Sequence, residues 1–567
     1  MEKFEELYTE EGLGIKGMPW NAYPRPQLKR HSFVCLNGKW SFGVKHKDEL
    51  LWLENITVPF APETLLSGVG IDLHEDKYDA FVYRKHFSLE NGFNRGRVLL
   101  HFGGVSNYAE VVLNGHTLGI HRGAYEPFFF DITDKLEETN TLEVYAKNIL
   151  GDNLLPYGKQ SRKRGGMWYT PTSGIWQTVW LESVPERHIT ALKVETDGLC
   201  VTIKAEGADN ASVIVETEKG EATYKMTGGV CEFELDYVRL WSPEDPYLYY
   251  YTVDTGEDKV ESYFAVRTLD IRRVDGYERL CLNGQPYFFH GLLDQGYWSD
   301  GGMTPPSFTS YDKDIKAMKA LGFNMLRKHI KIEPAAFYYA CDRLGMVVFQ
   351  DMVNNGDYSF FRDTALPTVG LRNIDDRKLH TNEATRDVFV DSMKKTVELL
   401  GGYPSICCWT IFNEGWGQFC GTEMYKKLKE IDSTRFIDTA SGWFSNVESD
   451  VDSRHIYFKK VKLKAGKKPL VLSEFGGYSY RVKGHIFNPK NEYGYGKYKT
   501  AEEFSRAFCR LYREEIIPLA KKGLCASVYT QVSDVEDETN GLFTYDRRVL
   551  KIKAEDFLPI SEELKRI

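Results

Sequence analysis

The sequence predicts a multidomain β plus α/β protein: two β-sandwiches followed by a C-terminal (β/α)8 barrel. Three observations carry this. Short apolar or alternating runs between turn signals fill residues 31–185, with no competing helical period. A smaller set continues to about residue 270. Beyond about 275, strand-like runs alternate with helical ones. A length of 567 residues gives room for three or four domains of about 100–200 residues each.

In the first unit, residues 1–185, the runs at 38–42, 80–84, 98–102, 109–113 and 141–146 read as strands. Asn114-Gly115 reads as a hairpin turn, because both residues tolerate the positive φ that a tight turn demands. Such a stretch suits a sandwich of two sheets. In the second unit, 186–273, strand candidates at 189–195, 200–204, 212–216, 231–235, 247–253 and 260–266 fit a small immunoglobulin-like sandwich.

The third unit, 274–567, has eight strand candidates, at 287–290, 324–327, 347–350, 406–412, 436–439, 455–457, 470–472 and 526–530. Ser310 can cap a helix that puts Ile315, Met318 and Leu321 on one face. A second helix spans 334–344 and stops at Gly345; a third spans 384–400 and stops at Gly401-Gly402. Eight strands alternating with helices is the barrel pattern. An open doubly wound sheet is the alternative, but no GxGxxG or GxxxxGK[ST] follows any strand.

Composition narrows the partners. Lys plus Arg is 72 against 81 Asp plus Glu, a net charge of −9 that forms no tail and speaks against nucleic acid or an anionic membrane as partner. With 42% hydrophobic and 27% charged residues, the chain is globular. No apolar run approaches the roughly 20 residues of a membrane helix. The start, Met1-Glu2-Lys3-Phe4-Glu5-Glu6, lacks the apolar segment of a signal peptide. The ten cysteines form no CxxC pair, so reduced, buried thiols and a cytoplasmic location are expected.

A (β/α)8 barrel carries its chemistry at the C-terminal strand ends. Asp294 follows the first strand; Arg327 and His329 end the second, Asp351 the third, Asn413 and Glu414 the fourth. Trp443 follows the fifth, His455 and Tyr457 belong to the sixth, Ser473 and Glu474 end the seventh, and Gln531 ends the eighth. Glu414 and Glu474 each terminate an apolar strand. Burial raises a carboxyl pKa and a nearby cation lowers it, so two carboxylates across a barrel mouth can take different protonation states. Glycoside hydrolysis needs that division of labour.

Each residue also has a plainer reading. Either glutamate alone can be a solvated loop residue. Arg327 and Asp351 can form a structural ion pair, a substrate contact or both. His329 can be a packed histidine, and Trp443 and Trp416 can be core or a sugar platform. His329 with His455 suggests a metal, but no HExxH or tight His/Asp cluster supports one.

The motifs, in order, resemble glycoside hydrolase family 2, the β-galactosidase, β-glucuronidase and β-mannosidase family. The resemblance rests on Leu36-Asn37-Gly38-Lys39-Trp40, Tyr108 to Gly115, Gly123 to Phe128, Ser173-Gly174-Ile175-Trp176-Gln177, Leu282 to Gly291, Gly322 to Arg327 and Cys341 to Gly345. It implies that the first domain is a jelly-roll of the sugar-binding type. It implies Glu414 as general acid/base, Glu474 as nucleophile, Asn413 on the sugar 2-OH and Tyr457 beside the nucleophile. It further implies retention of anomeric configuration, with a carboxyl separation of about 5–5.5 Å.

Arg327, His329, Asp351, Trp443, Asp294 and Gln531 complete the expected substrate-binding set. A carbohydrate substrate and a homo-oligomer are expected; no cofactor and no metal are. Family β-glucuronidases carry an Asn-x-Lys motif for the sugar carboxylate, and its lysine has no match in 537–547. A β-galactoside is therefore the leading substrate, with Lys328, Lys331 or Arg327 as alternative cations for a glucuronide or galacturonide. β-Mannosides and β-glucosides follow. A non-catalytic carbohydrate-binding protein is the reading from another class. The loops at 294–306 and 354–377 are expected to shape the pocket.

Overall fold

The computed structural model describes residues 4–47, 49–70, 78–150, 153–368, 374–457 and 459–567. The expectations placed on residues 1–3, and on 369–373 of the loop 354–377, lie outside the described residues.

The first domain is a sandwich of two antiparallel sheets. One runs, in spatial order, through Phe33–Cys35, Val179–Val184, Arg97–Phe102 and Phe128–Asp131; the other has six strands, from Glu49–Val58 at one edge to His116–Arg122 at the opposite edge. Period-two alternation drives this. In Tyr108–Leu113, Ala109, Val111 and Leu113 are buried and the residues between are half-buried. They pack with Trp40, Phe42, Leu100, Phe102 and Val144 between the sheets. Asn114 (φ +51°) and Gly115 (φ +78°) make the hairpin turn.

The second domain is a continuous ladder of seven antiparallel strands, from Ala191–Asp197 to Lys259–Phe264. It contains one strand, Gly220–Thr227, that the apolar pattern does not announce, because Met226 is its sole buried residue.

The barrel strands are β1 (Phe289–Asp294), β2 (Met325–Lys328), β3 (Val347–Asp351), β4 (Ile406–Asn413), β5 (Phe436–Ser441), β6 (Asp452–Ile456), β7 (Leu470–Phe475) and β8 (Leu524–Tyr529). All paired neighbours are parallel, and the ladder runs 5-4-3-2-1-8-7-6. The seam between β5 and β6 is closed by side chains: Ser453 Oγ donates to Asp438 Oδ2 at 2.6 Å. Leu293, Met325, Phe349, Cys408 and Val471 fill the interior, so the barrel is a packed core below its mouth.

The helix ends follow local chemistry. Gly345 (φ +72°) takes the left-handed conformation that ends Ala335–Leu344. Asn382 accepts from Thr385 N–H at the start of Glu383–Leu400. Ser310 does not cap its helix as expected. The helix begins at Thr309, with Phe308 at the cap position, and Ser310 Oγ accepts instead from Ser307 N–H at 3.3 Å. Among the described residues no helix is long and apolar enough to cross a membrane.

One segment of the first domain, residues 153–170, lies across the barrel mouth. Tyr157 donates from N to Asn354 O (3.1 Å) and from its hydroxyl to Gly356 O (2.9 Å). Arg164 bridges Glu536 and Asp537 in the loop after β8, and its side chain is only 5% exposed. Thr170 N donates to Glu536 Oε1 (2.8 Å), and Tyr169 Oη to Glu538 Oε2 (2.9 Å). These contacts strap the sandwich onto the barrel.

Candidate active site

The cluster at the barrel mouth is organised by Arg327. Its guanidinium donates to Asp351 Oδ1 (2.9 Å), Asn413 Oδ1 (2.9 Å), Ser473 O (3.1 Å) and Glu474 Oε1 (3.0 Å). One arginine at the end of β2 thus ties together the ends of β3, β4 and β7. Burial opposes its charge, but Asp351 and Glu474 outweigh that and hold the guanidinium above its ordinary pKa.

Glu474 is 5% exposed. Burial alone would raise its carboxyl. The positive fields of His455 and Arg327, with a hydrogen bond from Tyr457, outweigh burial and hold it down at about 2. The Tyr457 hydroxyl donates a short hydrogen bond to Glu474 Oε2 and sits 3.1 Å from Thr530 Oγ1. Burial first, and then Glu474, push the Tyr457 phenol well above its usual value, so it stays a donor.

Glu414 stands just past β4 with φ +51°, in the left-handed region that costs a non-glycine residue energy. Its N–H donates to Ser441 O at 2.9 Å, which fixes the turn against β5. His455 Nδ1 lies 2.9 Å from Glu414 Oε1, and His455 Nε2 lies 3.7 Å from Glu474 Oε1. Carboxylate oxygens of Glu414 and Glu474 and a His455 nitrogen lie within 4.8 Å of one another. Three such donors could grip a cation, but Arg327 Nη1 already lies 3.5 Å from His455 Nε2, and its charge opposes one.

The structure brings together Glu414, Glu474, Asn413, Tyr457, Arg327, His329 and Asp351. His329 Nδ1 is 2.7 Å from Asp351 Oδ2, and burial holds its pKa down, favouring the neutral ring. Trp443 lies over His455, with ring centroids 5.8 Å apart.

Asp294 and Gln531 do not join the cluster. On β1, Leu293 points into the barrel, so Asp294, one residue on, points out toward the helices. There it accepts from Lys328 Nζ at 2.6 Å, and Lys328 also reaches Glu333 at 2.8 Å. Gln531 turns its amide to Glu538 Oε2 (2.7 Å) and Asn540 Oδ1 (2.8 Å), beneath the pocket wall.

Sequence reading placed His455 on strand six but left it out of the substrate-binding set, although its spacing of two from Tyr457 puts both on one face. It missed other residues of the mouth. Lys159 and Trp168 come from the strap. Trp168 stacks on Trp416 (5.1 Å, 17°) and meets Tyr358 edge-on (5.0 Å). Tyr495 stacks on Tyr457 at 4.3 Å. No local pattern connects these residues to the barrel.

A parallel eight-stranded barrel with two strand-end glutamates beneath an aromatic rim is the architecture of a carbohydrate-active protein. The sequence models for the galactose-binding domain-like region of glycosyl hydrolase 2, for glycosyl hydrolases family 2, and for that family's TIM barrel domain match residues 59–165, 186–267 and 273–553. The chain belongs to glycosyl hydrolase family 2.

It is 25% identical over 382 residues to a β-galactosidase of Thermoanaerobacter pseudethanolicus, covering 62% of this chain and 46% of that protein. It is 24% identical over 365 residues to a putative β-glucuronidase of Formosa agariphila, covering 59% and 42%. The chain thus spans about half the length of these relatives. The crystal structure of a β-galacturonidase from Eisenbergiella tayi bound to galacturonate superposes with a TM-score of 0.67 at 18% identity, covering 97% of this chain and 99% of that one. That likeness is one of fold.

Proposed function

We propose that the protein is an exo-acting, retaining β-glycosidase. The observation that carries this is the approach of the Glu414 and Glu474 carboxylates to within 4.8 Å. An oxygen-to-oxygen approach of that kind agrees with the roughly 5–5.5 Å carboxyl separation of retaining enzymes, as against the 6.5–9.5 Å or so that leaves room for a water in inverting ones.

In the proposed path a Glu474 oxygen, ionised under the fields of Arg327 and His455, attacks the anomeric carbon. Glu414 gives its proton to the departing glycosidic oxygen. Water then attacks the glycosyl–Glu474 ester, Glu414 takes its proton, and Glu474 leaves as carboxylate. Asn413 Oδ1 already accepts from Arg327, so the amide orientation is fixed with its N–H groups free for the sugar 2-OH.

For the sugar, two readings have support. A β-galactoside is favoured by the Thermoanaerobacter relative's name and by the missing Asn-x-Lys lysine. A β-uronide is favoured by the names of the Formosa and Eisenbergiella proteins and by Lys159, a cation with no carboxylate within 4.0 Å among the described residues. Lys159 tips the balance to the uronide. Ten free cysteines, eight of them buried, support a reducing location such as the cytoplasm.

The test is turnover of p-nitrophenyl β-glycosides by wild type and Glu474→Gln, with the anomer of the first product read by proton NMR. A β-configured first product, absent with Glu474→Gln, is expected. An α-configured first product, or full activity in the variant, overturns the mechanism.

A further inference from the structure

The reading of a glycosidase pocket leaves one cation unexplained. Lys159 is 7% exposed. Among the described residues no carboxylate lies within 4.0 Å of its amine, and none accepts a hydrogen bond from it. Its neighbours are ring faces: Nζ lies 5.5 Å from the Trp416 centroid and 5.8 Å from that of Tyr169. Rings attract the charge but do not accept its three N–H donors.

The lysine is held in place by its backbone. Its carbonyl accepts from Tyr169 N–H at 2.9 Å, and the strap around it is pinned by Tyr157 and Arg164. Gly158, beside it, has φ +66° and packs so closely that a Cβ would meet Ile330 O at 2.9 Å. Trp416, the ring the amine lies against, stands two residues past Glu414 and donates its backbone N–H to Asn413 O at 2.9 Å, which places the amine beside the end of β4. His329 and Glu538 each feel the charge of both Lys159 and Glu474.

The other cations expected from the sequence are committed. Lys328 is bound to Asp294 and Glu333 outside the barrel wall. Lys331 is bound to Glu333 (2.9 Å), Gly296 O (2.5 Å) and Met303 O (2.8 Å). Arg327 spends its donors on Asp351, Asn413, Ser473 and Glu474.

We propose, resting on the glycosidase reading, that Lys159 of the strap recognises a carboxylate on the sugar whose anomeric carbon Glu474 reaches, and that the substrates are β-linked hexuronides. The carboxylate supplies the close acceptors that the described residues do not, where Glu538 offers only a more distant charge. Uronides and the matching neutral hexosides differ at C6 alone, so the amine separates the two through that one group.

The experiment compares kcat/KM on p-nitrophenyl β-D-galacturonide and β-D-glucuronide with that on the β-D-galactoside and β-D-glucoside, for wild type, Lys159→Met and Lys159→Arg. Binding of free galacturonate, glucuronate and galactose to the same proteins is measured alongside, and thermal melting checks folding. Wild type is expected to prefer one uronide, and the pair of uronides tells which C4 configuration fits. Lys159→Met should lower the uronide-to-hexoside ratio roughly ten- to a hundredfold, the scale of a charged hydrogen bond, with Lys159→Arg recovering part of it.

Preference for a neutral hexoside, with that ratio unmoved in Lys159→Met, overturns the proposal and leaves the glycosidase intact. Lysine-dependent uronate binding without turnover of any glycoside upholds the recognition of a carboxylate by Lys159 and overturns the hydrolytic reading, and with it the hexuronides as substrates. If Lys159→Met fails to fold, the ratio in Lys159→Arg decides, since a merely structural lysine predicts no change in it.

Discussion

Arg327 Nη1 lies 3.0 Å from Glu474 Oε1, so the proposed nucleophile is permanently paired with a cation from across the barrel. Both side chains are almost wholly buried. Arg327→Met removes the guanidinium that the buried Asp351 and Glu474 share and leaves them only the weaker support of His329, Tyr457 and His455. Removing one partner of a buried pair costs about 3–5 kcal/mol, so urea denaturation should show a loss of that order. The folded fraction should lose most of its kcat as well.

Glu414 and Glu474 should respond differently to the leaving group. A 2,4-dinitrophenolate departs without a proton, whereas an alkoxide needs one. Glu414→Ala should therefore lower kcat/KM far more for a methyl glycoside than for the dinitrophenyl glycoside of the same sugar. Glu474→Gln should lower both by at least about a thousandfold. Stopped-flow comparison of the two substrates reads the difference.

Tyr457 tunes the carboxylate it touches. Glu474 stands at about 2 in the folded protein, below the roughly 4.3 of a free glutamate. Its contribution to stability is thus complete above about pH 4.3 and is lost as pH falls toward 2. Tyr457→Phe removes a stabilising donor from the anion, so the Glu474 pKa should rise. The prediction is a fall in kcat with the acid limb of kcat/KM displaced to higher pH. A limb that stays in place overturns the assignment.

Arg164 joins two domains through ion pairs with Glu536 and Asp537. Arg164→Ala should destabilise the chain by about 3 kcal/mol in denaturant. It should also raise KM more than it lowers kcat, because the strap carries Trp168 and Lys159 but none of the reacting carboxylates. Steady-state kinetics below the melting transition separates the two effects.

The barrel strands were legible as apolar runs alternating with helices, and the strand-end position of Glu414 and Glu474 because each closes such a run. Side-chain direction was less legible. Asp294 and Leu293 differ by one residue, and one residue flips the face, so a strand read as 287–290 instead of Phe289–Asp294 gives no phase for its end. Ser310 misled because a hydroxyl that can cap also fits the first turn. Lys159 was illegible for a different reason. It meets Trp416 across more than 250 residues and a domain boundary, and nothing local in Pro156-Tyr157-Gly158-Lys159 reports that meeting.

The strap has a consequence for how such proteins diversify. Lys159 and Trp168, which take no part in the proposed bond-making, are borne by a domain that folds around its own core, away from Glu414 and Glu474. On the proposed role of Lys159, selection can rewrite which sugar is admitted without disturbing the chemical machinery. A chimera carrying a relative's N-terminal sandwich should inherit that relative's appetite while keeping this barrel's mechanism, and a liberated barrel should be left without a palate.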